Sequence, residues 1–130
     1  MFLDAFAKSM NAKEIRELTQ IIDDKSLTKQ QTHDQVKALC ERSGPESVKK
    51  FEETDKIIKG IAEYVMNHVK KIEGKLSPEA LEFIKEAKQI YENMEITHTQ
   101  EEEKLKELAN NAPAPLKKEL KSNNIFAHLF

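Results

Sequence analysis

The chain of 130 residues contains no tryptophan, one cysteine, three glycines and four prolines. A lone cysteine, Cys40, excludes a disulfide within the chain and leaves the compartment open. The scarcity of glycine, together with 34% charged residues, is typical of a helix-rich protein with a heavily charged surface. The net charge of −2 shows no basic stripe, which argues against a nucleic-acid partner. No apolar run approaches the roughly 20 residues that a transmembrane helix needs.

Apolar residues recur at spacings of three and four along the chain, and this pattern predicts an all-α fold. We expect a compact bundle of five or six helices, in which two related helical hairpins are joined by a long central helix. The hairpins cover residues 11–43 and 77–110, and the central helix covers residues 45–73. A short last helix and an apolar tail occupy residues 114–130, so that residues 1–130 form a single helical domain.

Apolar residues on several segments are expected to face inward. An apolar lead-in of Phe2, Leu3 and Phe6 is predicted to pack onto the bundle. Gly60 marks either a close crossing of the central helix or a bend in it. The apolar tail permits two readings: it covers the end of the bundle, or it forms an exposed patch for a partner, a membrane surface or self-association. The predicted inward residues are Val48, Phe51, Ile58, Ile61, Val65, Val69 and Ile72 on the central helix, widened by Ile57, Ala62 and Met66; Leu81, Ile84, Ala87, Ile90 and Tyr91 follow on the next helix, and the tail contributes Ile125, Phe126, Leu129 and Phe130.

Two segments of the chain repeat one another. The joint "IIDDKSLTKQQ" at residues 21–31 corresponds to "IYENMEITHTQ" at residues 90–100. In both joints a threonine is followed three positions later by a glutamine, which is the signature of a helix capping box. The repeat therefore predicts two related hairpins, and most of its shared residues serve folding. Identical pairs are Ile15/Ile84, Glu17/Glu86, Gln20/Gln89, Ile21/Ile90, Thr28/Thr97, Gln31/Gln100, Lys37/Lys106 and Leu39/Leu108.

A helix, an acidic joint and a second helix invite comparison with a calcium-binding EF-hand. Both copies lack the glycine at loop position six and most of the oxygen ligands, which argues against a regular calcium site. A weak magnesium-type site near Asp23 and Asp24, or near Glu92 and Asn93, stays open beside the interpretation of the joints as helix punctuation. No nucleophile or phosphate-loop motif is present, and we predict that the protein is not an enzyme. The histidines, which show no zinc-type spacing and are predicted to lie on the surface, are His33, His68, His98 and His128.

The ordered set "FLDAF", "IIDDKSLTKQQ", "KLSPEALEFIKEAKQIYEN" and "LKELANNAPAPLKKELK" resembles the SXP/RAL family of nematode proteins. The resemblance covers about Phe2 to Lys121, while the tail from Ser122 has no counterpart. Leu39 and Cys40 stand where relatives often have Trp-Ala. The resemblance implies a secreted helical protein, with its signal peptide removed, that hosts meet as an antigen and in some cases as an allergen. Cation binding and modulation of host immunity are among the activities that it implies.

Three functions follow as expectations. The first is a non-enzymatic secreted antigen or binding protein that acts at the host interface, with host proteins or antibodies as partners and no cofactor. The second is a carrier of a small ligand or of a divalent cation such as magnesium. The third is an interaction protein that self-associates through its C-terminal apolar residues, so that the expected state is a monomer or a weak oligomer.

Overall fold

Helix-start and helix-stop residues set the boundaries of the secondary structure. The computed structural model describes the backbone of residues 3–130 and the side chains of that range other than those of Leu3 and Ala5; Phe2 of the predicted lead-in lies outside the described residues. No β-strand occurs in the described range, and the all-α prediction is confirmed. The helices are α1 (Leu3–Phe6), α2 (Ala12–Asp23), α3 (Lys29–Ser43), α4 (Pro45–Ile72), α5 (Pro78–Glu92), α6 (His98–Asn111) and α7 (Ala114–Ser122), with 3₁₀ turns at Glu73–Lys75 and Ala127–Leu129.

Both predicted capping boxes are present at the repeated joints. The Thr28 hydroxyl accepts a hydrogen bond from the Gln31 backbone N–H at 3.1 Å, and the Gln31 side chain accepts one from the Thr28 N–H at 2.9 Å. Thr97 and Gln100 make the same pair of bonds at 3.0 and 2.9 Å. Each box satisfies two backbone donors that the first turn of a helix leaves without a partner. The sequence therefore fixes where α3 and α6 begin.

Removal of either cap threonine is expected to destabilise the protein. Thr28→Ala and Thr97→Ala should each lower the free energy of unfolding by about 0.5–2 kcal/mol, because one backbone N–H loses its acceptor. Urea denaturation followed by circular dichroism measures the loss. Thr99→Ala is the matched control, since Thr99 is an exposed residue of α6 outside the cap. An equal loss in the control would show that the hydroxyl at the cap position is not the cause.

The chain divides into two units, Met1–Ile61 and Ala62–Phe130. In the first unit α2 packs against both α1 and α3. The Ser47 hydroxyl of α4 donates to the Ser9 hydroxyl oxygen at 2.9 Å, which fixes the start of α4 against the segment that follows α1. The single domain expected over residues 1–130 stays a prediction. The core of the first unit consists of Phe6, Met10, Leu18, Leu39, Cys40 and Phe51.

The apolar tail belongs to the core of the second unit. Ile125 is 1% exposed, and Phe126, Leu129 and Phe130 pack against the same cluster from its edge. The rings of Phe126 and Phe130 lie 6.5 and 5.8 Å from the ring of Phe83. Of the two readings of the tail, the structure shows the one in which it covers a core. The buried members of this cluster are Val69, Leu76, Ala80, Phe83, Ile84, Ala87, Leu105, Ala112, Leu120 and Ile125.

The buried face of α5 differs from the predicted one. Leu81, expected to face inward, is 40% exposed, whereas Phe83 is 3% exposed and was not predicted to be buried. The buried residues Ala80, Phe83, Ile84 and Ala87 recur at spacings of three and four. The face is therefore helical in period, but it is turned toward the aromatic tail that packs on Phe83. Sequence spacing does not contain that tertiary contact.

The end of α7 is tied to the start of α5 by one carboxylate. Ser77 caps α5 by accepting a hydrogen bond from the Ala80 N–H at 3.1 Å. Glu119 accepts bonds from the Ser77 N–H at 2.8 Å and from the Ser77 hydroxyl at 2.5 Å. Both bonds lower the pKa of the Glu119 carboxyl, and the bond from the Ser77 hydroxyl has the larger effect. Ser77 and Glu119 are separated by 42 residues, so no local sequence pattern indicates this contact.

The middle of α4 exposes residues that were predicted to be buried. Ile57, Ile58 and Ile61 are 57%, 48% and 60% exposed, while Phe51 and Val69 of the same predicted stripe are buried. The prediction is therefore wrong for the middle of the stripe and right toward both ends. A Cβ built at Gly60 would meet nothing within 4 Å, so Gly60 does not mark a close helix crossing. We call the three isoleucines the α4 face.

Candidate functional site

The residues of the two candidate cation sites lie at the end of α2 in the first unit and at the end of α5 in the second. Asp23 and Glu92 are the last helical residues, and Asp24 and Asn93 are the caps that follow them. One oxygen of Asp24 accepts hydrogen bonds from the Ser26 N–H at 3.0 Å and from the Ser26 hydroxyl at 2.6 Å. Both bonds lower the pKa of the Asp24 carboxyl, and the bond from the Ser26 hydroxyl has the larger effect. Asp24 therefore stabilises the turn that leads into α3.

Asn93 has the same role in the second joint. Its side-chain oxygen accepts a hydrogen bond from the Glu95 N–H at 3.0 Å, and the Glu92 carboxylate lies 3.7 Å from the Lys88 ammonium. Within the described residues, no group of three His, Cys, Asp or Glu side chains is placed to hold a metal ion. The geometry of both joints thus favours helix punctuation, and a magnesium-type site stays a prediction.

Magnesium is expected to leave both joints unchanged, because one side-chain oxygen of Asp24 and that of Asn93 already accept bonds from the turn backbone. An amide-resolved NMR titration of chelator-treated protein tests this up to about 10 mM magnesium, above the roughly 0.1–1 mM dissociation constants of weak extracellular cation modules. We expect only small, unsaturated shifts distributed over the acidic surface. Saturable shifts confined to residues 23–28 or 92–97 would contradict this expectation and establish a cation site.

The histidines divide into two exposed and two half-buried side chains. His98 and His128 are exposed, as predicted for surface residues. His33 is half-buried: its Nε2 lies 3.0 Å from the Asp55 carboxylate, and its ring lies 5.0 Å from the ring of Phe51. His68, also half-buried, has its Nε2 3.0 Å from the Asn123 carbonyl oxygen. The two half-buried histidines therefore hold elements of their own units together, which their sequence spacing did not indicate.

Cys40 lies in the core of the first unit. Its side chain is fully buried, and this burial, with a smaller contribution from the charge of Glu41, raises the pKa of the thiol to about 11. A thiolate is the nucleophilic form of cysteine, and at neutral pH this thiol stays protonated. Cys40 therefore serves as a small apolar residue of this core.

Two concave surfaces lie within the second unit. One is a recess of about 410 Å³ beside the tail, where the Tyr91 hydroxyl lies 3.0 Å from His128 Nε2. The other, which we call the α5–α6 groove, has a volume of about 390 Å³. Its lining combines an apolar floor with carboxylate, amide and amine groups. The lining residues are Glu86, Gln89, Ile90, Asn93, Lys104, Glu107, Leu108 and Asn111.

Comparison of the chain with protein-family models, with curated proteins and with solved structures gives no match. Membership of the SXP/RAL family therefore stays a prediction. None of the helices in the described part of the chain combines the length and the apolar composition that crossing a bilayer requires. Function is inferred from the surfaces described above.

Proposed function

We propose that the protein is a non-enzymatic secreted binding protein that acts at the host interface, and that the α4 face is its partner-binding surface. The observation that carries this proposal is the exposure of Ile57, Ile58 and Ile61, which lie on adjacent turns of one helix side at 57%, 48% and 60%. Single exposed apolar residues are ordinary on protein surfaces, but a contiguous group marks an interaction site.

The energetics of the α4 face favour a macromolecular partner. Full burial of an isoleucine side chain contributes roughly 1.5–3 kcal/mol, so covering three half-exposed isoleucines contributes on the order of 3 kcal/mol. Tyr64, which is 76% exposed, follows one turn later on α4. Tyrosine is enriched in protein interfaces because its ring provides apolar area and its hydroxyl provides a hydrogen bond.

Charged side chains lie on the other side of the same helix turns. Lys56 and Lys59 are exposed and, by the helical period, point away from Ile57 and Ile61. An apolar side and a charged side on one exposed helical stretch are the pattern of a helix that buries one face against a partner. The identity of the partner as a host protein or antibody, and the secreted location, rest on the resemblance to the SXP/RAL family.

A pair of double variants tests the proposal. Ile57→Gln/Ile61→Gln changes the α4 face, and Lys56→Gln/Lys59→Gln introduces the same residue type on the charged side. Both variants replace exposed side chains, so their circular dichroism and thermal unfolding are expected to match those of the wild type. Immobilised protein is exposed to host serum, the retained proteins are identified, and the dissociation constants of the purified partners are measured.

We expect the isoleucine pair to weaken binding by at least about tenfold and the lysine pair to leave it within about twofold, since loss of roughly 1.4 kcal/mol is a tenfold change. Serum proteins that bind both variants as they bind the wild type would contradict a role for the α4 face. A serum in which no protein is retained above a denatured-protein control would contradict the binding function itself.

A further inference from the structure

The repeat allows the two hairpins to be compared position by position around the α5–α6 groove. Each residue of the second hairpin corresponds to the residue 69 positions earlier, as for Ile15 and Ile84. Half of the groove lining is identical in the first hairpin. These conserved pairs are Glu17/Glu86, Gln20/Gln89, Ile21/Ile90 and Leu39/Leu108.

The other half of the lining differs, and one difference changes how a carboxylate is satisfied. In the first hairpin the Arg42 guanidinium reaches from α3 to α2, where its Nη1 lies 3.8 Å from Glu17 Oε2. The position of Arg42 corresponds to Asn111, whose shorter neutral side chain cannot supply this charge to Glu86. The substituted pairs are Asp24/Asn93, Gln35/Lys104, Ala38/Glu107 and Arg42/Asn111.

The substitutions move the cation of the second hairpin: Asn111 replaces Arg42, and Lys104 stands where the first hairpin has Gln35. In the part of the chain that the structure describes, Lys104 forms no ion pair with either glutamate of the groove. Among the described residues, Glu86 and Glu107 form no ion pair, and Glu107 adds a carboxylate where the first hairpin has Ala38. Lys104 is the one cationic side chain of the lining, so the groove carries a net charge of −1. Ile90 and Leu108 are the half-buried apolar residues of the lining, and we call them the apolar floor.

We infer that the α5–α6 groove binds an arginine side chain presented by a partner protein. The guanidinium would take the place that Arg42 occupies in the first hairpin, between Glu86 and Glu107. Its planar set of N–H donors matches carboxylate and amide oxygens, and Gln89, Asn93 and Asn111 provide such amides on the rim. The aliphatic part of the arginine lies along the apolar floor, as long cationic side chains do on apolar surfaces.

Arginine fits this groove better than lysine or a metal ion. The ammonium of lysine is a compact and strongly hydrated charge, which gains less from spaced acceptors than a planar guanidinium does. A metal ion would leave the apolar floor uncovered, whereas the arginine stem covers it. The inference rests on the proposed binding function, since it specifies one chemical feature of the partner, but it uses a surface separate from the α4 face.

A short peptide tests the groove directly. Acetyl-Gly-Arg-Gly-amide is titrated into ¹⁵N-labelled full-length protein, with the citrulline peptide as an uncharged control of the same shape. We expect saturable amide shifts within residues 86–93 and 104–111, with a dissociation constant on the order of 1 mM. The citrulline peptide should bind at least about tenfold more weakly. Equal shifts from both peptides, or no saturable shift from either, would overturn the inference.

Two variants locate the site. Glu86→Gln/Glu107→Gln removes both carboxylates and should weaken the arginine peptide at least about tenfold, while Glu103→Gln, at an exposed glutamate of α6 outside the groove, should leave its affinity unchanged. Asn111→Arg restores the residue found in the first hairpin and should fill the groove with the protein's own guanidinium, which abolishes peptide binding. Peptide binding that survives both groove variants would contradict the assignment.

The same titration on Ile57→Gln/Ile61→Gln separates this inference from the proposed function. Peptide binding should be unchanged in that variant, because the α4 face does not line the groove. If the α4 variant binds serum partners as the wild type does while the peptide still binds the groove, the proposed role of the α4 face is contradicted and the groove assignment is supported. If the peptide does not bind while the α4 variant loses a serum partner, the groove assignment is contradicted and the proposed function is supported.

Discussion

Replacement of Ile125 by alanine is expected to lower the free energy of unfolding of the second unit by about 2–5 kcal/mol, the usual cost of truncating a fully buried isoleucine. Ile125 is 1% exposed and lies in the same core cluster as Phe83 and Leu120. Its backbone N–H donates to the Leu120 carbonyl at 2.9 Å, which fixes the chain reversal after α7. The truncation leaves a cavity in this core, which adds to the lost burial of the side chain.

Ile57→Ala is the matched control for this loss. Ile57 is 57% exposed, so the same substitution is expected to change the free energy of unfolding by no more than about 0.5 kcal/mol. Urea denaturation followed through the amide NMR signals of each unit measures both losses, in residues 62–130 for Ile125→Ala and in residues 3–61 for Ile57→Ala. A loss at Ile125 no larger than that at Ile57 would mean that the tail does not belong to the core.

The Cys40 thiol is expected to react with iodoacetamide at least about a hundredfold more slowly in the native protein than in the unfolded chain at pH 8.5. Burial raises the pKa of the thiol from an ordinary value of 9.0 to about 11, and each unit of this rise lowers the thiolate fraction about tenfold. The side chain is also fully buried, so that the reagent must wait for an opening of the structure.

The raised pKa has a consequence for stability as well. The native state keeps the Cys40 proton between pH 9 and pH 11 while the unfolded chain loses it, so the free energy of unfolding falls as pH rises through this window. Below pH 9 both states hold the proton, and the contribution does not change with pH. Cys40→Ala should therefore flatten this part of the curve of thermal stability against pH.

A relocated cysteine provides the control for the labelling experiment. Cys40→Ala/Ala38→Cys places a thiol two residues away at an exposed position of α3, where it should react at nearly the unfolded rate. Mass spectrometry of samples quenched at successive times gives both rates. Comparable labelling of native Cys40 and of the relocated thiol would show that the core around Cys40 is open to reagent.

Helix positions and helix ends are properties of the sequence alone in this protein. Asn11, Thr28, Ser77 and Thr97 each cap the helix that follows, and the capping hydrogen bond that each side chain accepts spans three residues of the chain. The capping boxes at Thr28 and Thr97 were predicted, and the one that Asn11 forms with Glu14 carries the same local signal. Because these interactions connect near neighbours, the sequence pattern determines them before any tertiary contact forms.

The sequence does not determine the role of the candidate cation residues. The sequence contains acidic residues at Asp23, Asp24 and Glu92. The folded structure shows that Asp24 and Asn93 accept hydrogen bonds from the backbone of their own turns. The α5–α6 groove was not predicted, although the residues that form it were aligned by the repeat. The sequence shows that Asn111 stands at the position of Arg42. The structure shows that Arg42 lies beside Glu17, so this difference removes an ion pair from the second hairpin.

The apolar period determined which side of α4 is apolar, and the tertiary structure decided which part of that side is covered. Phe51 and Val69 are buried while Ile57 and Ile61 remain exposed, although all four share the predicted stripe. In the same way, the composition of the tail allowed both a core element and a free patch, and packing on Phe83 selected the first. The apolar period shows which face of a helix is apolar. Whether that face is buried depends on which distant segment packs on it, and contacts between distant segments leave no local pattern in the sequence.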